Sequence, residues 1–438
     1  MDGCFSMDHA LREAARCLLC HDAPCSTACP AVTEPDRFIR KLRFKNIKGA
    51  AALVKKNNLL GGVCGAICPT SCLCEEGCLA TGIGTPIAIG KIQKFLVEYG
   101  WQVGLPPVAA GPSNGRKVAV IGAGPSGLTC AGELAREGYE VTVFEKLSRP
   151  GGMLTYVIPE HRLSGDLVEK EIAEIVNLGV EIRCDSPMES QSDLERLLAD
   201  GFEALYVATG AWKCATLGVP GAGPGDIFDA ISFLTLAKAD RAKFAGLVQD
   251  KDVAVVGGGD SAMDAAVIAR KNGARDVYVV YRRSYAQMPA SQEAKDEALS
   301  AGVHLLFLTQ PVSYPEDGKV QGMRVVRCAL CEPDKSGRRR PVQIDGTEHV
   351  MPVDLIVEAP GPVPADSMAR FSSLDLSARN CVIVDDDTGA TSEANIFAGG
   401  DAVRGASLVV RAVGDGKRAA RAIHKALEKT VDRTAGEG

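Results

Sequence analysis

The chain has 438 residues, a formal net charge of -6, 46% hydrophobic and 24% charged residues, and 47 glycines. That length exceeds what one hydrophobic core usually serves, so two or three domains are expected; the negative charge argues against non-specific nucleic-acid binding. No apolar run reaches the roughly 18 residues of a membrane-spanning helix, and Met1 to Ala10 has no basic stretch leading into an apolar one, so no secretory signal is expected and the protein reads as cytoplasmic.

In chain order, residues 1–105 are expected to be helical and irregular, with no strand alternation. Most of the cysteines are crowded between Cys4 and Cys78. Cys17, Cys20, Cys25 and Cys29-Pro30 form a C-x2-C-x4-C-x3-C-P array; Cys64, Cys68-Pro69, Cys72, Cys74 and Cys78 form a second. Thiolates this close can wrap three corners of a 4Fe–4S cube, while the cysteine before proline turns to another cluster. Structural zinc usually takes paired C-x2-C knuckles, which the second array lacks, and a disulfide framework would suit a small exported domain. Two 4Fe–4S clusters are therefore expected. Arg37 to Lys56 holds eight basic residues and no acidic one, either a solvated helix face or a surface for an acidic partner.

Beyond a linker, Gly104 to Gly115, come two similar stretches: Val118-Ala-Val-Ile-Gly-Ala-Gly-Pro-Ser-Gly127 and Val253-Ala-Val-Val-Gly-Gly-Gly-Asp-Ser-Ala262. Each reads as a buried strand, a glycine turn and a helix. In the first, Gly122, Gly124, Pro125, Ser126 and Gly127 are followed by Glu145 at the end of the next strand, where a carboxylate can accept from an adenosine ribose. The pyrophosphate would lie on the helix N-terminus. Lys146 and Gly151-Gly152 follow at flavoprotein spacing. Near the C-terminus Ile396-Phe-Ala-Gly-Gly-Asp401, in which Gly400 precedes Asp401, supplies a carboxylate for a flavin ribityl chain. FAD is the expected ligand.

In the second stretch the candidates are Gly257, Gly259, Asp260, Ser261 and Ala262. The next strand ends on Arg282-Arg283 in place of an acid; unless they are plain surface charges, these guanidinium groups favour the 2′-phosphate of NADPH over the 2′-hydroxyl of NADH. Ala359 and Gly361 are assigned to the same nucleotide. Between about 310 and 357, short alternating runs and the turn Glu316-Asp-Gly318 predict a small antiparallel meander. Cys328-x-x-Cys331 reads as two ordinary thiols, and the six dispersed histidines suggest no catalytic triad. The fold class is thus α/β: a helical iron–sulfur domain (1–105), an FAD domain in two parts (116–215 and 351–438), and an NAD(P) domain (216–350) inserted in it.

The order of these parts resembles the N-terminal half of dihydropyrimidine dehydrogenase, its separate bacterial flavin subunit, and the small subunit of glutamate synthase, over essentially the whole chain. Arg16-Cys-Leu-Leu-Cys-His-Asp-Ala-Pro-Cys-Ser26, Cys68-Pro-Thr-Ser71 and Pro86-Ile-Ala-Ile-Gly-Lys-Ile-Gln-Lys-Phe95 are similar to the dihydropyrimidine dehydrogenase form. The resemblance implies one cluster on Cys17, Cys20, Cys25 and Cys78, and another on Cys29, Cys68, Cys74 and Gln93, with Cys64 and Cys72 left over. It also implies that Arg162 and the stretch Ser407, Leu408 and Val409 contact the flavin. The 438 residues carry no stretch similar to the FMN barrel of the full-length relatives, so the resemblance implies that substrate chemistry is to be expected on another polypeptide. The implied function is electron input from NADPH or NADH, in a hetero-oligomer with a pyrimidine-reducing FMN-barrel and ferredoxin-type chain. The alternatives are a glutamate synthase small subunit, a related NADPH:acceptor subunit, or an electron-transfer adaptor.

Overall fold

The computed structural model describes residues 5–221, 227–314, 322–333, 339–364 and 366–435. The turn expected at Glu316-Asp-Gly318 lies outside them. The chain divides into two compact units, Met1–Thr155 with Glu160–Ala211 and Pro364–Gly438, and Tyr156–Pro159 with Trp212–Val363.

The first unit opens with helices that the sequence punctuates plainly. Pro35–Arg43 has proline in its first turn with Asp36, and Arg40, Lys41 and Arg43 in its last, matching the helix dipole; Phe38, Ile39 and Leu42 face the core. Ile47–Asn57 is capped by the Asn46 side chain, which accepts the Gly49 N–H at 3.0 Å. Ile89–Gln102 buries Ile89, Ile92, Leu96 and Val97 at helical spacing. The unit continues into a five-stranded parallel sheet in the order Ile396–Ala398, Ala204–Val207, Lys117–Ile121, Glu140–Phe144, Glu181–Arg183. Every residue of Ala204–Val207 is buried, as expected of a central strand covered on both faces. The closing helix, Val409–Ala435, runs beside the Pro125–Arg136 helix: a Cβ at Gly416 would stand 2.4 Å from the Ser126 carbonyl oxygen.

The second unit has its own five-stranded parallel sheet, ordered Ile227–Asp229, Leu355–Glu358, Asp252–Val256, Asp276–Tyr281, His304–Phe307. Thr309–Ser313, Met323–Pro333, Arg339–Gln343 and His349–Met351 form the antiparallel meander.

One boundary is corrected. Leu355–Glu358, assigned from the sequence to the returning flavin segment, pairs in parallel with Asp252–Val256 and Ile227–Asp229. Its four residues are apolar apart from Glu358, and without them Asp252–Val256 would present an open edge. The nucleotide unit therefore runs to Val363 and begins at Trp212.

Candidate functional site

The first cysteine array is folded into a pocket. Cys17, Cys20, Cys25 and Cys78 all line one pocket that opens to solvent, together with apolar Leu18, Leu79, Ile39 and Ile87. The backbone is forced to make it: Leu19 (φ 55°) and Ala23 (φ 39°), both on the pocket wall, are non-glycine residues in the left-handed region, a strain that persists only where the surroundings over-determine it. Arg43 ties the loop down by donating to the Cys17 carbonyl. Burial raises the Cys17 thiol, and burial followed by the charge of Asp36 pushes Cys25 up to about 11. Deprotonating both would need the positive charge of a bound metal.

The second array is deeper. The Cys68 thiol is pushed well up, first by its hydrogen bond to Cys64, then by burial and by the nearby Cys74 and Cys29. Cys29, Cys64 and Cys74 are buried, whereas Cys72 is exposed. Cys64 thus joins Cys29, Cys68 and Cys74, and Cys72 stands apart. Buried Gln93 donates its Nε2 to the Gly61 carbonyl at 2.6 Å. That bond fixes which amide atom faces the backbone and leaves Oε1 as the available ligand atom. Among the described residues, no three His, Cys, Asp or Glu side chains are gathered for a single metal ion. A cubane spreads its ligands over four irons, so it asks for thiols at wider spacing.

The flavin candidates meet at the ends of the first sheet. Gly122 has φ 102°, and a Cβ there would stand 2.5 Å from the Ala208 carbonyl oxygen. Nothing lies within 4 Å of where a Cβ on Gly124 would be, which leaves the helix N-terminus open to a pyrophosphate. Buried Glu145 accepts the Ala123 N–H at 2.7 Å on one oxygen and the Leu147 N–H at 2.8 Å on the other, and each oxygen keeps a lone pair for a ribose hydroxyl. Ser126 shares a 2.7 Å hydrogen bond with the buried Tyr206 hydroxyl. Gly151 and Gly152 have φ 114° and 56°, and the Gly151 N–H returns to the Ala123 carbonyl at 2.8 Å. Lys146 points elsewhere, forming a 2.5 Å surface pair with Glu189. Arg162, Ser407, Leu408 and Val409 are half-buried, the last opening the closing helix.

Asp401 follows Gly400, whose φ is 68°. Burial, then the charge of Asp415, pushes its carboxyl up to about 7 against the Ser407 N–H. Asp415 escaped the sequence reading. It accepts the Gly400 N–H at 3.0 Å and Arg404 Nε at 2.8 Å, and is bonded by Arg418 as well. No local motif announces this clamp, because Gly400 and Arg404 lie 15 and 11 residues before it.

In the second unit, a Cβ on Gly257 would stand 2.3 Å from the Ala359 carbonyl oxygen, while Gly259 and Gly361 (φ 117°) face open space. Ala262 is fully buried against the sheet, where a small residue is required. Ser261 is half-buried, and Asp260 Oδ1 accepts both the N–H and the hydroxyl of Ser291 at 2.9 Å. The paired arginines part company. Arg282 is exposed, whereas Arg283 donates its Nε to the Arg339 carbonyl at 2.9 Å.

Two Rossmann sheets in one chain, each with an open glycine turn, preceded by a cysteine-lined helical segment, define a nicotinamide- and flavin-dependent oxidoreductase carrying iron–sulfur chemistry. The chain belongs to the pyridine nucleotide-disulphide oxidoreductase family, whose model matches residues 116–416, and residues 1–105 match the model described as dihydropyrimidine dehydrogenase domain II, 4Fe-4S cluster. It is 38% identical to the NADP(+)-dependent formate dehydrogenase subunit beta of Moorella thermoacetica over 93% of its own length, but spans only 60% of that protein. With the NAD-dependent dihydropyrimidine dehydrogenase subunit PreT of Escherichia coli K12 it shares 37% identity, covering 96% of this chain and 94% of that one. With the glutamate synthase (NADPH) small chain of the same organism the identity is 33%, covering 97% and 93%. Among solved structures, Mycobacterium tuberculosis FprA in complex with NADPH aligns at TM-score 0.61 and 18% identity over 73% of this chain and 86% of that one, a likeness of fold.

The protein is an NAD(P)H-dependent oxidoreductase with FAD and a 4Fe–4S domain, and its relatives are named as subunits of larger enzymes. Among the described residues no helix is long and apolar enough to cross a membrane.

Proposed function

We propose that the chain is the electron-input subunit of a larger enzyme, oxidising NAD(P)H through FAD and passing electrons through two 4Fe–4S clusters to a partner that reduces uracil or thymine to 5,6-dihydropyrimidines. The observation that carries this reading is the cavity lined by Cys17, Cys20, Cys25 and Cys78, in the same compact unit as the open turn at Gly124. When bound, FAD takes an electron pair as hydride and releases electrons singly, the form in which clusters carry them.

The protein's part is placement. Gly124 and the Pro125–Arg136 helix N-terminus receive the pyrophosphate, Glu145 holds the turn and meets the ribose, and Asp401 meets the ribityl chain. Gly259 and Arg282 serve the nicotinamide nucleotide. Cys29, Cys68, Cys74 and Gln93 hold the second cluster, with Cys64 as the thiol best placed to replace one of them. The pyrimidine assignment is supported by the likeness to the PreT subunit and by the stretch Pro86 to Phe95, which includes Gln93 and is similar to the dihydropyrimidine dehydrogenase form. The partner is then an FMN-barrel and ferredoxin-type chain in a hetero-oligomer. A glutamate synthase partner is the second reading, favoured by coverage of 93% of that small chain.

Anaerobically prepared protein should hold one FAD and about eight irons with equal labile sulfide, reduce an artificial dye with NAD(P)H, and leave uracil untouched alone. Zinc without labile sulfide, or uracil reduction by the pure chain, overturns the proposal. Co-purification with a large amidotransferase would transfer it to the second reading.

A further inference from the structure

Lys417, on the closing helix, is a buried lysine with 8% of its surface exposed. Its ammonium donates to the carbonyls of Ala31 and Asn57, both at 2.7 Å. Among the described residues, no carboxylate lies in ion-pair contact with it. A buried ammonium without a counter-charge is costly, and two carbonyl acceptors only partly offset the loss of water. Burial accordingly lowers its pKa, opposed by the charges of Glu133 and Cys29.

The surroundings point to where the missing negative charge belongs. Ala31 follows Cys29-Pro30, and the closing helix presses on this segment: a Cβ at Gly414 would stand 2.5 Å from the Pro30 carbonyl oxygen. Two positions on, Gly416 abuts the Ser126 carbonyl of the flavin turn. One helical turn thus touches both the flavin-binding loop and the segment of Cys29. The Cys29 thiol is buried, its Sγ 3.6 Å from the Thr33 hydroxyl. The other charges acting on Lys417 are Glu133, Arg421 and Arg136. Glu133 is itself paired with Arg136 at 2.9 Å, so the excess charge around Lys417 is positive.

We propose that Lys417 is an electrostatic tuning residue for the cluster held by Cys29, a fixed buried cation that raises that cluster's reduction potential and so favours electron movement from the flavin side. The proposal rests on the reading of Cys29 as a cluster ligand. A 4Fe–4S core with thiolate ligands is anionic and gains one further negative charge on one-electron reduction, while the ammonium keeps its proton. Charge within a low-dielectric interior is felt strongly, so a neighbouring cation stabilises the reduced form more than the oxidised one.

The experiment is an anaerobic redox titration of the full chain followed by electron paramagnetic resonance, with iron and labile sulfide measured on every sample. Lys417→Gln keeps a donor for the two carbonyls but removes the charge. It should shift one cluster midpoint to more negative potential and leave the other in place, and Lys417→Arg should bring it back towards the unmodified value. Two clusters present with both midpoints unmoved in Lys417→Gln overturns the proposal. If Lys417→Gln cannot hold the cluster, Glu133→Gln decides: removing the opposing carboxylate must move the same midpoint positive, and an unmoved midpoint overturns it. Absence of labile sulfide in the unmodified protein would instead defeat the cluster assignment on which the proposal stands.

Discussion

Gly127 sits so close to Gly122 that a Cβ on it would stand 2.0 Å from the Gly122 carbonyl oxygen, whereas a Cβ on Gly124, in the same turn, would meet nothing within 4 Å. One glycine is demanded by the protein's own packing, the other by whatever the turn receives.

The two glycines should therefore fail differently. Gly127→Ala should destabilise the fold by about 1–3 kcal/mol, the usual cost of overpacking. Gly124→Val, at a position whose φ of -77° suits any residue, should melt like the unmodified apoprotein yet purify without flavin absorbance. A Gly124→Val protein that retains full FAD would place the pyrophosphate elsewhere.

Asp401 should give the flavin-free protein a distinctive pH dependence. Its carboxyl ordinarily titrates near 3.8 and is pushed up to about 7 in the fold, chiefly by burial. Between those values the folded state holds a proton that the unfolded state has released, so stability falls as pH rises through the window. Thermal midpoints of deflavinated protein should decline from about pH 4 to about pH 7, and Asp401→Asn should flatten that slope. Retention of FAD should rise with pH over the same range, as the carboxylate forms. Parallel curves for the two proteins would show that Asp401 does not titrate there.

Coenzyme choice should depend on Arg282 more than on Arg283. Arg283 is committed through its Nε to the Arg339 carbonyl, while Arg282 is exposed at the strand end where a 2′-phosphate would lie. A hydrogen bond to a charged group is worth about 1.5–3 kcal/mol, so Arg282→Ala should raise KM for NADPH roughly ten- to a hundredfold and leave KM for NADH nearly unchanged. Arg283→Ala should weaken both alike. Steady-state kinetics with the two coenzymes decide it, and a preference for NADH in the unmodified protein removes the phosphate role from both arginines.

Glu171 should matter for stability. Fully buried, it accepts the N–H groups of Gly62 and Val63 at 2.8 and 2.9 Å and pairs with Lys55 at 2.8 Å. It thereby satisfies the first turn of the Gly61–Ile67 helix, which carries Cys64 and leads into Cys68. Glu171→Ala leaves Lys55 and two N–H groups buried without this partner and should cost about 3–5 kcal/mol, measured by denaturant unfolding. A loss below about 1 kcal/mol would mean that water replaces the carboxylate.

Much of this protein is legible in its sequence because the chemistry is local. A glycine turn between a buried strand and a helix needs only its own few residues to form, and both turns stand where the two stretches predict them, at 122–127 and 257–262. The N-terminal helices announce themselves by proline, capping and charge placement. The edge of the nucleotide unit did not, because Leu355–Glu358 is a short apolar strand that either parallel sheet could accept. Its place is fixed by backbone pairing to strands from much earlier in the chain, Asp252–Val256 and Ile227–Asp229.

The sequence by itself determined which residue types are available: nine cysteines in two arrays, two open turns, a carboxylate at Glu145, and an arginine pair in place of an acid. Tertiary structure alone decided which of them share a space. It set Cys64 against Cys68 while leaving Cys72 outside, and turned Arg283 onto the backbone. It also carried Lys417, near the end of the chain, back to Ala31 near its start. Burial is the physical reason. A side chain's charge and bonding are settled by what surrounds it once water is gone, and those neighbours come from chain segments with no sequence relation to one another.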